Sequence, residues 1–451
     1  MNNGFDELCH ALGDPDLSRR LKAAGEMGEL IRAGKIQADK EPRGEVNNHV
    51  HTFYSFSPYS PSLAAFRAWQ AGLSAVGIMD HDSVAGAAEM SKAGRALGIA
   101  TTVGFELRVS MSGTAVEGRK INNPDSPNIA YIAVHGVPSP GLPEAQAFLA
   151  PINRRRNQRN RAQTEALNSL LRDSGIPPLD FDTDVLAISR AAEGGSVTER
   201  HILYALAGRI SGISGKGEGV CSFLDKQLGI SLPGQIYSRL NDSNNPHYLY
   251  DLLGILKSVF LPRFFIQPDE KECLPVEQVV EFARSIGAIP AYAYLGDVGE
   301  SPTGDKKEEK FEDDYLDDLI PELRRLGFCA VTYMPPRNTR VQLERLSSLC
   351  RRAGLMEISG VDINSSRQSF NCPEVMDPAF EHLIEATWAL VAHERLASCD
   401  RRYSLFDGRN PWAADPLTAR IERYAGYGRG MDPRNPETII DMLETYPAGD
   451  K

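Results

Sequence analysis

Four short apolar runs near the start of the chain each end in side chains that can bind a metal, and this recurrence restricts the fold more than any other feature. Val46 to His51 closes on His49-Val-His51. Alternate side chains of a strand share a face, so both imidazoles point the same way. Val76-Gly-Ile-Met runs into Asp80-His81-Asp82, Thr101 to Phe105 into Glu106, and Ile129 to Val134 into His135. A lone His-x-His is as readily a polar pair on an edge strand, and Asp82, just before Ser83, can cap the following helix. Four such ends in order are not explained in that way. In a barrel of parallel strands the C-terminal ends converge on one face, where active sites are built. Imidazole and carboxylate ligands together suit zinc, manganese or iron.

The rest of the chain divides around this block. Residues 1–44 form a helical extension, with Leu17, Leu21, Ala24, Met27, Leu30 and Ile31 at helical spacing, broken by Lys40-Glu-Pro-Arg-Gly-Glu45. Residues 45–150 alternate apolar strands with helices over Ser62–Ala71 and Val84–Leu97, which implies parallel strands with helices outside. Residues 151–255 begin with an arginine-rich helix, Arg154–Arg172, and read as an inserted, mostly helical lobe. The alternation resumes over 256–400, with strands at Ala288–Tyr292, Ala330–Tyr333 and Met356–Ile358. Gly299–Asp314 reads as a charged loop and residues 401–451 as a polar C-terminal extension.

Composition narrows the partners. The 451 residues carry a net charge of −11, against a nucleic-acid backbone as the main partner, although a small phosphate ester held by metals and a few arginines remains compatible. Seven cysteines without a C-x-x-C motif suit reduced thiols. Met1 to Arg20 lacks the apolar core of a signal peptide, and the longest apolar runs, such as Thr387–Ala392, fall far short of a membrane span. The expected setting is the cytoplasm.

His49-Val-His51 with Thr52 and Ser55, then Met79-Asp-His-Asp-Ser83, Gly104-Phe-Glu106, His135-Gly136 and finally Gly360-Val-Asp362-Ile-Asn364 resemble the ordered motifs of the PHP (polymerase and histidinol phosphatase) domain family of metal-dependent phosphoesterases. Arg200-His201-Ile202 is similar to an Arg-x-His-Ile stretch of its nucleotide-phosphoesterase members, without the intervening residue. The resemblance implies an α/β fold, a distorted (β/α)7 TIM-like barrel with a helical insertion, holding two or three metals. It assigns one metal to His49, His51, Glu106 and Asp362. A second would share Glu106 with His135 and a further histidine. There this chain has Tyr292, and His201 is the other candidate ligand. A third would use His81, a residue after the first motif and a final histidine, positions held here by Phe56 or Ser57 and by Asn364. The expected complement is two divalent transition metals, Zn, Mn or Fe.

Candidate substrate contacts are Arg108, on the same strand face as Glu106, Arg337 after Met334-Pro-Pro, and Arg367, close after Asp362, because guanidinium forks suit phosphate oxygens. Taken singly, each reads more readily as a surface salt bridge. His393, on an apolar helix, reads as a hydrogen-bonded core histidine, and Cys372 as structural. The expected reaction is hydrolysis of a small phosphomonoester or nucleotide-like ester by a metal-activated water, with Asp80, His81 or His201 protonating the leaving group. The ligand set alone would equally serve amide or lactone hydrolysis in an amidohydrolase-like enzyme. The substitutions at Tyr292 and Asn364 also fit a barrel that binds metal or a phosphorylated ligand without turnover.

Overall fold

All seven expected strands form, and they pair in chain order in a single sheet: β1 (Val46–Val50), β2 (Ala75–His81), β3 (Ala100–Ser110), β4 (Ile129–His135), β5 (Ile289–Ala293), β6 (Ala330–Tyr333) and β7 (Met356–Ser359). The computed structural model describes residues 2–40, 44–123, 125–298 and 310–445, so most of the expected 299–314 loop lies outside the described residues. Parallel pairing of β1–β2–β3 and β5–β6–β7 agrees with the helix-separated spacing. β4 does not: it runs antiparallel to both β3 and β5. The reason lies in the 111–128 connection, whose described residues hold no helix, so that the chain returns beside β3 without a crossover.

The sheet closes at the β1–β7 seam through the residues just past the strands. His51 N donates to Ile363 O at 3.0 Å and Ile363 N to His49 O at 3.1 Å. Two side-chain amides extend the seam: Asn47 Nδ2 donates to Val361 O and accepts from Val361 N through Oδ1, while Asn48 Nδ2 donates to Ser359 O. Gly360 permits this approach, since a Cβ there would stand 2.6 Å from the Cβ of His49.

Helices α1 (Asn2–Leu12), α2 (Leu17–Arg32), α3 (Pro61–Gln70) and α4 (Ala87–Leu97) cover the first strands. The N-terminal pair packs on the barrel, with Leu12, Ala24 and Met27 fully buried in its outer apolar layer. Helix α5 (Leu142–Leu170) begins before the expected lobe and passes through Pro151 unbroken. Its first half packs on the barrel, Leu149 and Ile152 included, and Leu167 enters a second core. That second core takes in α6 (Glu199–Ser214), α7 (Glu218–Lys226), α8 (Gly234–Asn241) and α9 (Tyr248–Phe264), together with Phe56. The return passes through α10 (Val276–Ser285), whose Phe282 ring stacks on Phe148 of α5 at 3.8 Å.

After α11 (Leu316–Arg325) and α12 (Arg340–Ala353), helices α13 (Glu381–Cys399), α14 (Leu417–Gly430) and α15 (Ile439–Thr445) complete the chain. The described part of the expected C-terminal extension, up to residue 445, packs into the fold. Trp412, Tyr424 and Tyr427 join α13 in a third core with Val46, Ala75, Ala100, Ile289, Ala330 and Met356, the first residues of the six mutually parallel strands. This packing fills the N-terminal end of the barrel and leaves the opposite end for chemistry. His393 sits there as expected of a core histidine, with Nε2 facing Gly136 O at 3.0 Å and Nδ1 accepting from Leu405 N at 2.9 Å.

One ion pair ties the N-terminal helices to the barrel. Arg20 is fully buried and donates twice to Glu89, at 2.9 and 2.7 Å, while Ser62 N and Oγ also donate to that carboxylate. Arg20→Met should leave Glu89 charged and buried without its cation, at a cost of about 3–5 kcal/mol. Urea denaturation measures this, and a loss below about 1 kcal/mol would show that the pair contributes no more than an exposed one.

Candidate metal centre

His49 in β1 and His51 just past it, Glu106 in β3 and Asp362 past β7 meet at the open end of the barrel. Ligand atoms of His49, His51 and Glu106 all lie within 4.8 Å of one another. Glu106 is the hub. Its Oε2 lies 3.4 Å from His49 Nε2, and its Oε1 lies 3.3 Å from His51 Nε2 and 2.9 Å from His81 Nδ1. Asp362 completes the ring, with Oδ1 3.2 Å from His51 Nε2. Register explains the convergence, since His81 on β2 is directly opposite Glu106 on β3.

A metal fits this donor set. His51 Nε2 is buried and makes no hydrogen bond, although two carboxylate oxygens lie close to it. Short separations without a hydrogen in line are what ligands around a common point give. The other ring nitrogen is provided for: Ser55 Oγ donates to Asp80 Oδ1 at 2.7 Å, which turns its lone pairs toward His51 Nδ1 at 3.4 Å. A proton on Nδ1 leaves Nε2 as a lone pair aimed at the cluster, the arrangement metal-bound histidines need. Burial opposes ionisation of Glu106, yet His81 and His49 hold its pKa well below the carboxylate range, and His51 does the same for Asp362. Both are therefore anionic ligands at neutral pH.

The structure places the other candidates unequally. His135, on the antiparallel β4, ends its strand beside the first residue of β5, deeper in the barrel than Glu106. Its Nε2 is buried without a hydrogen bond, and burial, reinforced by His49, lowers its pKa to about 3, so the imidazole is neutral and able to ligate. Asp80 is buried beneath the site, accepting from Thr52 N, Thr52 Oγ1 and Ser55 Oγ at 2.6–2.7 Å, and is spent on orienting His51 rather than on proton transfer. Tyr292 does not take the missing histidine's place. It points away from the site, packs against Phe328 and donates to Glu312, while the cavity-lining residue of β5 is its neighbour Ala293. His201 is not brought to the cluster either: its Nδ1 accepts from Thr198 N at 3.0 Å as an N-terminal cap of α6, and its ring packs on Phe56. Burial lowers its pKa to about 3, so it has no proton to give near neutrality. Asp82 does not cap α4. In a left-handed conformation, φ 47°, it pairs with Arg156 of α5.

A cavity of about 270 Å³ opens above the cluster. One wall carries His49, His81, Glu106 and Asp362, and the insertion supplies Thr198, Glu199 and Arg200. Lys257, Leu261 and Phe265 come from the second half of α9 and the residue after it, past the expected end of the insertion at 255. Arg108 and Arg337 line it as expected. Arg108, however, already donates to Glu272 at 2.5 Å within a buried set of Arg108, Arg156 and Arg159 against Asp82, Glu199 and Glu272. Arg367 is not in the cavity wall, because Asp251 of α9 captures it with two bonds of 2.6 Å. Sequence reasoning overlooked Arg200, whose Nη1 donates to Asn364 Oδ1 at 2.7 Å. It also overlooked Tyr131, where burial pushes the phenol up to about 12. Arg200 lay inside a recognised motif, but attention fell on its neighbour His201.

A strand-end cluster of histidines and carboxylates on a seven-stranded barrel defines a metal-binding barrel. Residues 47–168 match the family model of the PHP domain. Two solved structures are similar in part: an amidohydrolase from Chromobacterium violaceum (16% identity, covering 73% of this chain and 90% of that one, TM-score 0.47), and a candidate metal-dependent phosphoesterase from Bifidobacterium adolescentis (17% identity, 75% and 96%, TM-score 0.46). No curated protein matches the chain. Among the described residues no helix is long and apolar enough to cross a membrane.

If Asp80 acts by fixing His51, Asp80→Asn should weaken metal binding by about 10–100-fold while leaving the fold intact. Competition titration with a chromogenic chelator measures this, and an unchanged affinity would remove Asp80 from the metal's support.

Proposed function

We propose that the protein is a metal-dependent hydrolase that cleaves a small phosphate ester. The observation that carries the reading is the position of Glu106, whose two oxygens reach His49, His51 and His81 at 2.9–3.4 Å. A carboxylate shared so widely suits a bridge between two ions. His49, His51, Glu106 and Asp362 would hold one divalent ion, and Glu106 with His135 would contribute to a second. When bound, such ions supply activation of water and neutralisation of charge at phosphorus.

The chain's own residues divide the remaining tasks. His81, partly exposed and lining the cavity, is the group placed to pass a proton to a leaving oxygen, with Glu106 orienting its Nδ1. Arg337 and Lys257 line the same cavity and favour an anionic substrate. The cavity's modest size favours a small ester over a polymer. Seven cysteines, none paired with another, support a reducing, cytoplasmic setting.

The replacement of third-site ligands has a countable consequence. Phe56 belongs to the insertion's apolar core and Asn364 is bonded to Arg200, so metal analysis of protein loaded with Mn or Zn should give about two ions per chain. A stoichiometry of three would show that other groups fill the gaps.

Steady-state kinetics on an ester found from a panel of phosphomonoesters and phosphodiesters, with excess Mn, tests the reaction. Glu106→Gln keeps the size and removes the charge, and should lower kcat by more than about 100-fold. His135→Ala should leave a weakened, partly active centre, and Arg337→Ala should raise KM more than it lowers kcat. Near-normal turnover by Glu106→Gln would end the bridging role and favour a barrel that binds without turnover.

A further inference from the structure

A separate concentration of positive charge lies toward the other end of the barrel. A cavity of about 100 Å³ opens between α4, the start of β3, α13 and the segment after α14. Ala100 of β3 lines it, and Glu106 stands further along the same strand, roughly 20 Å away. Three cations face this cavity, Lys92 and Arg95 from α4 and Arg395 from α13, and among the described residues no carboxylate lines it. The chain as a whole has a net charge of −11, so three cations converging without an acid in the wall run against its general balance. Lys92 and Arg95 stand at the spacing where helical side chains are neighbours and like charges repel. Arg95 is answered by Glu437 and by the carbonyl of Arg434. Lys92 has no carboxylate within ion-pair distance among the described residues. Arg395, with 17% of its side chain exposed, donates to Thr101 Oγ1 at 3.2 Å and faces Glu394 Oε1 at 3.7 Å, beyond hydrogen-bond reach. The other oxygen of Glu394 accepts from Val103 N at 2.6 Å, and burial pushes its pKa up to about 7, so the acid behind Arg395 is only partly ionised near neutrality. Lys92 and Arg395 therefore keep charge for a ligand.

From this geometry we infer that Lys92, Arg95 and Arg395 form a binding site for a free tetrahedral oxyanion, phosphate or sulfate, separate from the strand-end cluster and independent of the phosphate-ester reading above. The two guanidinium groups present forks that match such oxygens, and Lys92 adds a point charge. The hydroxyl of Ser91, also in the wall, supplies a neutral donor. The volume equals roughly three waters, enough for one such ion and too little for one with a bulky substituent. Pro433 and Pro436 close the opposite side, and neither has a backbone N–H to offer, so the ion is held by the side chains of the two helices. An ion seated here touches α4, α13 and the segment after α14 together. It ties the C-terminal helices to the barrel, and by binding only the folded chain it stabilises that chain.

Calorimetric titration with inorganic phosphate, on the metal-loaded protein and again after chelation, tests this, with thermal unfolding followed at the same phosphate concentrations. One binding event should survive chelation, and phosphate should raise Tm in both forms. Lys92→Met and Arg395→Gln should each weaken that metal-independent event by about 10–100-fold, and the rise in Tm should shrink with it. Lys92 is exposed, so its replacement tests the site even if Arg395→Gln fails to fold. Metal content should be the same in parent and variants. Absence of metal-independent binding tighter than about 10 mM overturns the site, and so does an affinity within about 3-fold of the parent in Lys92→Met. An equal rise in Tm with sodium chloride at matched ionic strength would reduce the effect to screening and overturn it as well. Phenylphosphonate carries the same charged group on a bulky ring and should bind at least about 10-fold more weakly. Binding as tight as that of phosphate would overturn the free-ion reading and make the ligand the phosphate group of a larger molecule.

Discussion

The candidate metal cluster comes together only because the barrel closes between its first and last strands. His49 and His51 stand on one side of that seam and Asp362 on the other, and backbone bonds between His49, His51 and Ile363 stitch the two together. Where the strands can no longer pair through backbone alone, the amides of Asn47 and Asn48 reach across to Val361 and Ser359. Gly360 makes room for the approach. A ligand set split across a seam has its spacing defined by the closure of the whole sheet, so any change that spreads β1 from β7 separates the ligands before it unfolds the protein.

Around this closure the buried charges are arranged in matched groups. Asp80 is satisfied by Thr52 and Ser55 and thereby orients His51. Asp82, Glu199 and Glu272 meet Arg108, Arg156 and Arg159, joining β3, α5, α6 and the segment returning from the insertion. Burying such groups is tolerable only with partners of opposite charge and good hydrogen bonds. The same bonds define where the insertion sits over the cavity. Catalytic and structural polarity are thus adjacent, and Arg108 shows how a residue facing the site can belong to the second kind.

Much of this was legible from the chain. The seven apolar runs announced the seven strands, and the terminal His, Glu and Asp residues announced the cluster, because strand period and strand ends are local properties. Direction is not local. Nothing in Ile129–His135 itself says that β4 runs against its neighbours; the absence of a helix over 111–128 was the only signal. Arg200 and His201 were misjudged for a related reason. Adjacent helical residues diverge by about 100°, so one faces the cavity while the next caps the helix and packs inside the lobe. In the C-terminal segment, abundant arginines and aspartates masked Trp412, Tyr424 and Tyr427, whose spacing was too sparse to read as a core face.

Helix α5 runs from the wall of the barrel into the core of the insertion without a break, and the chain returns from the insertion through Glu272, which is gripped by three arginines. A roof joined by a continuous rod on one side and an ionic clasp on the other is not a hinged cover. A molecule entering the cavity would then have to pass beside this roof rather than wait for it to swing aside. Selection by size would then fall at the entrance, before any contact with the strand-end cluster.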